Sequence, residues 1–366
     1  MNRRQIWRHF DYWLFGAVVL LSVFGIAMIR SAIAGNELLA GLVMRQAIYV
    51  GIGLVFMLLV ASMDYHFWES LSRTIYIITV IALIGIYILG EALFGSARWF
   101  DTGVIFIQPS EIAKIALVMI LANYFAKTVD DERNLVWVGK SFLLALGVIV
   151  WILLQPNLSM SIVMLVIWFS MLWISGLPAK LQALFAIGGL GAVVAAFPFL
   201  ENYQQQRILD FIIKDENARH GNTYNVEQAL ITIGSGGWFG MGYGQGTQVQ
   251  LHFLRVRHTD FIFSAIAEEF GFIGTILIIG LLVFIILRCF RVAQNAHDRF
   301  GAMLAYGVGV IMFFQTAVNI GVNLNLIPVT GLTLPFVSYG GSSLISLVLG
   351  IGLVESVAAY SKPLEF

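Results

Sequence analysis

Residues 271–288 read GFIGTILIIGLLVFIILR, with no ionisable side chain before Arg288. A helix needs about twenty predominantly apolar residues to cross a bilayer, so this stretch is long enough to span alone. Within it, 277–287 is an almost unbroken surface of Leu, Ile, Val and Phe, suited equally to lipid and to a partner helix. Comparable runs fall near 12–34, 46–62, 75–93, 110–126, 141–154, 158–175, 180–198, 301–325 and 337–358, which predicts ten spans in all. The runs 141–154 and 158–175 are separated only by Gln155-Pro156-Asn157, a tight hairpin.

The chain of 366 residues is 59% hydrophobic and 11% charged, the composition of an all-α polytopic membrane protein. Residues 1–366 are expected to form a single membrane domain, with a large ordered extracytoplasmic loop, 199–259, between spans seven and eight. The first run lacks a small-residue cleavage motif and is followed by many others, so it reads as a span and not as a cleaved signal peptide. The formal net charge is zero, and no nucleic-acid partner is expected. The single cysteine, Cys289, excludes an internal disulfide and a cysteine-rich metal site.

Arg3, Arg4, Arg8, Arg73, Lys127, Arg133, Lys140, Lys180, Arg288, Arg291, Arg299 and Lys362 fall on one side of ten alternating spans, 12 of the 21 basic residues. The positive-inside rule makes that side, and both termini, cytoplasmic. Segments 94–109, the Gln155 turn, 199–259 and 326–336 then face outward. In the long segment, Phe211-Ile212-Ile213 beside Lys214-Asp215-Glu216 predicts short amphipathic helices at the interface. Residues 234–246, GSGGWFGMGYGQG, carry seven glycines in thirteen positions, which allows tight turns and close backbone approach to a ligand. No Lys-Ser or Lys-Thr pair follows, so this is not a phosphate-cradling P-loop.

Ionisable groups inside apolar spans are costly to place and therefore informative. Glu111 and Lys114, three apart on one face, read either as a structural ion pair or as a substrate contact. Gln315, Asn319 and Asn323 recur every four residues as a polar stripe, either glue between helices or a cavity lining. The stripe leads into TGLTLPFVSYGGSS, 330–343, whose non-helical backbone must be buried in protein or line a wet cavity. Arg98 and Trp99 sit at the outer surface, where Arg suits phosphate and Trp the headgroup level; interfacial anchoring and ligand contact are both open. In HFLRVRHTDFIF, 252–263, Arg255, Arg257 and His258 precede Asp260 at the start of a short helix over 260–270. Asp260 is either a helix N-cap or a carboxylate between a positive rim and an apolar floor, the setting of a general base.

Taken together, RWFDTGVIFIQPSEIAK (98–114), QPNLSMSI (155–162), YQQQRI (203–208), GSGGWFGMGYGQGTQ (234–248), RHTDFIFSAIAEEFGFIG (257–274) and LPFVSYGGSSL (334–344) resemble the SEDS family, its rod-shape branch more than its division branch. The resemblance covers nearly the whole chain in order. It implies a peptidoglycan glycosyltransferase that polymerises lipid II, the lipid-linked disaccharide-peptide, on the outer face of the bacterial cytoplasmic membrane. It puts the essential catalytic aspartate at Asp260, and positions linked to activity at Arg98, Trp99, Gln108, Ser110, Glu111 and Lys114. Arg207, Arg255, Arg257 and His258 complete the expected substrate-binding set, with the arginines and Arg98 available to a diphosphate leaving group. A divalent cation, Mg²⁺ or Mn²⁺, bridging diphosphate and carboxylate is compatible with such chemistry, although no metal-ligand spacing demands it.

Relatives typically carry aspartate after Gln-Pro, whereas this chain has Asn157, which cannot act as a base or hold a cation by charge. The implied partners are a class B penicillin-binding protein, whose single membrane helix packs on spans eight and nine, the nascent glycan and membrane lipids. Two other classes of function remain compatible with the residues: a lipid II flippase, which needs a polar path across the whole membrane, and a noncatalytic scaffold.

Overall fold

In a computed structural model of the protein, residues 8–89, 91–93, 96–101, 106–213 and 222–361 are described below. Arg3, Arg4, Lys362 and the Lys214-Asp215-Glu216 triplet named above lie outside the described residues. Ten of the described helices coincide with the ten predicted runs: α1 Tyr12–Ala32, α2 Gly41–Ala61, α3 Tyr65–Leu89, α4 Pro109–Lys127, α5 Leu135–Leu154, α6 Leu158–Ile174, α7 Ala179–Ala196 and, after the long outer segment, α10 Ile262–Gln294, α11 Arg299–Asn323 and α12 Gly341–Tyr360. Among the described residues, eight of them are long and apolar enough to cross a membrane by length and composition, and α6 is a shorter apolar helix. The outer segment folds into α8 Asn202–Ile212, α9 Asn222–Ser235 and a single helical turn, Thr247–Gln250.

Helix ends follow local capping more than hydropathy. α3 begins at Tyr65, ahead of its apolar run, because Asp64 accepts from the His66 backbone N–H at 2.9 Å and closes the first turn. Asn157 caps α6 through the Met160 N–H at 3.3 Å, and Asp298 caps α11 through the Gly301 N–H at 2.8 Å. The end of the predicted 75–93 run and the 94–109 loop form a small antiparallel sheet, β1 Glu91–Leu93, β2 Ser96–Asp101 and β3 Phe106–Ile107, in the order β1-β2-β3.

The helices sort into a centre and a periphery. In α4 and α12, 83% of the most apolar window is buried, and in α11 72%, whereas in α3 and α10 the shares are 22% and 28%. The core therefore sits among α4, α11 and α12, while α3 and α10 keep long apolar faces outward. Close approach at the centre needs small residues: a Cβ at Gly352 of α12 would lie 2.9 Å from the Met57 carbonyl oxygen of α2.

Polar contacts mark two opposite ends of this bundle. At one end Arg288 binds Asp11, Tyr65 donates to Asp298, Arg299 donates to the Ser175 carbonyl at 3.0 Å and Tyr360 to the Ser62 carbonyl at 2.9 Å. The other end gathers β3, the Gln155-Pro156-Asn157 turn, α8, and the chain around Asp260 and Thr330, joined by the bonds described next.

Candidate active site

Asp260 precedes α10 but does not cap it. The N-cap is Phe261, which has no side-chain cap bond. The capping role is taken from across the bundle: Asn323 Oδ1, on α11, accepts from the Ser264 N–H at 3.1 Å and the Ser264 hydroxyl at 2.7 Å. Its Nδ2 donates to the Asp260 carbonyl at 2.9 Å, and Asn319 Nδ2 donates to the same carbonyl at 3.1 Å and to Leu332 O at 2.8 Å. Two members of the polar stripe thus act as glue of a particular kind, a double clamp on the Asp260 backbone carbonyl that does not use its carboxylate. Both amide atoms of the third member, Gln315, are buried without a hydrogen-bond partner among the described residues.

The 330–343 segment brackets the same chain. Ser338 donates to the Thr259 carbonyl at 2.8 Å, and the Tyr339 N–H donates to the His258 carbonyl at 2.9 Å. Gly331, at φ 77°, passes beside the carboxylate: a Cβ there would stand 3.9 Å from Asp260 Oδ2. Asp260 keeps partial solvent access. Burial nonetheless pushes its carboxyl up to about 6, against the pull of the Arg207 guanidinium and the Thr259 hydroxyl bond.

Arg207 reaches the site from α8. Its guanidinium donates to Val329 O at 3.4 Å and lies 5.6 Å from the Tyr203 ring centre, while the Tyr203 hydroxyl donates to the Pro156 carbonyl. Ser159 donates to Thr330 O at 2.6 Å, so α8, the Asn157 turn and the 325–331 loop form one wall. The Asn157 side chain is engaged in capping α6.

The other arginines of the opening stretch diverge. Arg255 is exposed, 5.9 Å from the Tyr224 ring of α9. Arg257 does not join the positive rim expected of it: it is buried, donating to the Ala32 and Leu254 carbonyls and contacting His252 Nδ1 at 2.8 Å. A guanidinium has five donors and no acceptor, and here it finds backbone carbonyls at the end of α1 before it can reach a substrate. His258 is half-buried, and burial together with Arg257 lowers its pKa, which favours the neutral ring.

Gln108, Ser110, Glu111 and Lys114 are buried at the start of α4. Lys114 Nζ stands 2.6 Å from Glu111 Oε2, and Ser346 of α12 donates to that oxygen at 3.5 Å. The Gln108 N–H donates to Ser342 at 3.0 Å, and Ser343 pairs with Thr333 at 2.9 Å, so these residues connect to the Asp260 loop through α12 without touching Asp260 in the contacts described. Arg98 lies on β2, its side chain outside the described residues, and Trp99 beside it is half-buried.

The glycine-rich segment closely approaches the backbone around Gly271. Met241 and Gly242 N–H groups donate to the Glu268 and Glu269 carbonyls at 2.9 and 3.0 Å, and Phe272 N–H donates back to Gly237 O at 2.8 Å. This clasp surrounds Gly271, which at φ 67° and ψ −168° breaks α10 into a short site helix and a long outer helix. Glu268, which sequence reasoning left without a role, is fully buried and accepts from Gln248 and Val249 N–H groups at 2.8 and 3.1 Å, fixing the chain that leads to Asp260. Only its place just ahead of a glycine-broken helix hinted at such a task. Among the described residues, no group of three or more His, Cys, Asp or Glu side chains gathers to hold a metal.

Residues 4–363 match the family model described as a cell cycle protein, that of FtsW, RodA and SpoVE. The chain is 35% identical over 372 residues to the peptidoglycan glycosyltransferase MrdB of Escherichia coli K12, covering 100% of this chain and 98% of that one. It is 34% identical to the probable peptidoglycan glycosyltransferase FtsW of Hydrogenovibrio crunogenus, covering 95% and 91%. A chain from a peptidoglycan synthase complex that coordinates polymerization and crosslinking superposes with TM-score 0.81 at 30% identity, over 96% of this chain and 99% of that one. The rod shape determining protein RodA of Thermus thermophilus superposes with TM-score 0.72 at 30% identity, over 97% and 98%. Matched end to end in sequence and in fold, the chain is an integral membrane protein of the SEDS family, the group of FtsW, RodA and SpoVE.

Proposed function

We propose that the protein is a peptidoglycan glycosyltransferase that polymerises lipid II, with Asp260 as its general base. The acceptor's N-acetylglucosamine 4-hydroxyl attacks the anomeric carbon of the donor. A C–O bond forms with inversion, the bond to the diphosphate breaks, the hydroxyl proton passes to Asp260 and polyprenyl diphosphate leaves. The observation that carries this reading is a carboxylate not spent on capping: Asn323 caps α10 in its place, and two asparagines clamp its backbone. A pKa of about 6 lies close to the operating pH, where a base is both ionised and able to accept a proton. Arg207, whose guanidinium acts on the Asp260 charge, takes up leaving-group charge, while Arg255, on the exposed rim, helps draw the diphosphate in.

Asp260 and the substrate diphosphate would together suit a Mg²⁺ or Mn²⁺ ion, since such ions bind through one or two carboxylates plus phosphates. The ion would supply further neutralisation of the leaving diphosphate.

The chain crosses the cytoplasmic membrane ten times, with both termini cytoplasmic and the Asp260 end outside. The two opposed bundle ends support this, because Arg8, Arg288, Arg291 and Arg299 cluster at the end away from Asp260. A class B penicillin-binding protein packs its membrane helix on α10 and α11, where Leu277 and Leu287 of α10 are 67% and 61% exposed and Phe313 of α11 is 57% exposed. The test is glycan-strand formation from labelled lipid II by the full chain with its cognate partner, wild type against Asp260→Asn. Strands from wild type alone, with the variant folded and partner-bound, support the base. Equal polymer from both overturns it, and no polymer from either favours transport or scaffolding.

A further inference from the structure

At the bundle end opposite Asp260, an open-sided cavity of about 430 Å³ lies between the starts of α1 and the ends of α10 and α12. Arg8, His9, Asp11, Arg288 and Arg291 line it, with Tyr12 and Trp13 at its rim. Asp11 is engaged by Arg288, and its backbone N–H is held at 2.9 Å by Glu355, so that carboxylate and that cation neutralise one another. Arg8 and Arg291 pair with no carboxylate among the described residues, which leaves two guanidinium groups on the cavity without an ion-pair partner. The C-terminal ends of α10 and α12 contribute partial negative charge, worth about half an elementary charge each and decaying within one turn, too little to cancel two guanidinium groups.

Three features point to one ligand chemistry. The cavity sits where the apolar helices α1, α10 and α12 end. Trp13 and Tyr12 are 77% and 60% exposed beside it, the position that amphipathic rings take at a membrane interface. Basic pockets between transmembrane helices on the cytoplasmic side take anionic lipid headgroups, and planar guanidinium groups bind phosphate oxygens in pairs. We infer that Arg8 and Arg291 form a binding site for the phosphate of an anionic phospholipid on the face opposite the active site. The assignment rests on the proposed orientation, which puts this face on the cytoplasmic side.

The test uses the full chain in nanodiscs of phosphatidylcholine containing a minor fraction of phosphatidylglycerol, followed by detergent exchange and mass-spectrometric counting of retained lipid. Wild type should retain phosphatidylglycerol over phosphatidylcholine. Arg8→Ala/Arg291→Ala should lower that preference about tenfold or more, and Arg8→Lys/Arg291→Lys should restore most of it. Thermal unfolding and glycan formation in phosphatidylcholine alone should be unchanged, which separates failure here from failure of the polymerase reading. Equal retention by wild type and the alanine variant would overturn the site. Displacement by inorganic phosphate at the concentration of the lipid would overturn its assignment to lipid in favour of a free anion.

Discussion

Asn323 and Asp260 meet at 2.9 Å, side-chain amide to backbone carbonyl, while the same asparagine caps α10 through Ser264. One side chain therefore sets both where the Asp260 loop ends and where the following helix begins. Asn323→Ala removes a cap and leaves buried backbone groups unpaired, with an expected loss of roughly 1–3 kcal/mol in stability. Asn323→Asp retains the Ser264 acceptor but turns an oxygen towards the Asp260 carbonyl, so strand formation should fall more steeply than the unfolding midpoint. Parallel thermal unfolding and polymerisation assays separate the two effects.

The acid limb of activity should follow Asp260. With its carboxyl near 6, strand formation should decline below that pH, approaching tenfold per unit. Arg207→Gln removes a charge that holds this pKa down, so the limb should move to higher pH. A limb unmoved by the Arg207 change would disconnect that guanidinium from the base.

Stability should move in the opposite sense. The folded-state pKa is raised from 3.8 to about 6, so folding favours the protonated form. The contribution is full below the unfolded value and is lost as pH rises through the folded one. At pH 7 both states are ionised and the buried charge is a net cost, so Asp260→Asn should stabilise the inactive protein by roughly 1–2 kcal/mol, allowing for solvent access. The gain should vanish near pH 4, as unfolding scans across that range can read.

Gly271 should tolerate no side chain. A Cβ would stand 2.7 Å from the Phe239 backbone, at a φ and ψ that only glycine adopts freely. Gly271→Ala should cost about 3 kcal/mol or more and misplace the site helix. Gly280→Ala, with nothing within 4 Å of its Cβ, is the control and should leave both stability and activity near wild type.

The Glu111–Lys114 pair is fully enclosed on the lysine side. Lys114→Met should destabilise by about 3–5 kcal/mol because it strands the Glu111 charge, whereas Glu111→Gln/Lys114→Met should recover much of the loss. A double-mutant cycle on unfolding free energies reads the coupling, and additive losses would show that the pair is not coupled in the fold.

What the sequence determined by itself was everything governed by transfer into lipid and by local motif. The 271–288 run can only be a membrane helix, the Gln315-Asn319-Asn323 spacing can only draw one face, and the ordered motifs carry the family. Tertiary structure decided which groups are free to act. Arg257 and Asp260, three residues apart, read alike as site residues, yet one is consumed by the Ala32 carbonyl and the other is released from capping because Asn323 has taken that role. The glycines of 234–246 promised close approach without saying to what, and their partner proved to be the backbone around Gly271. The physical reason is the range of the forces. Hydropathy and helical period are properties of a segment, whereas a polar group's fate depends on which donor or acceptor the fold brings within 3 Å, often from a helix some sixty residues away.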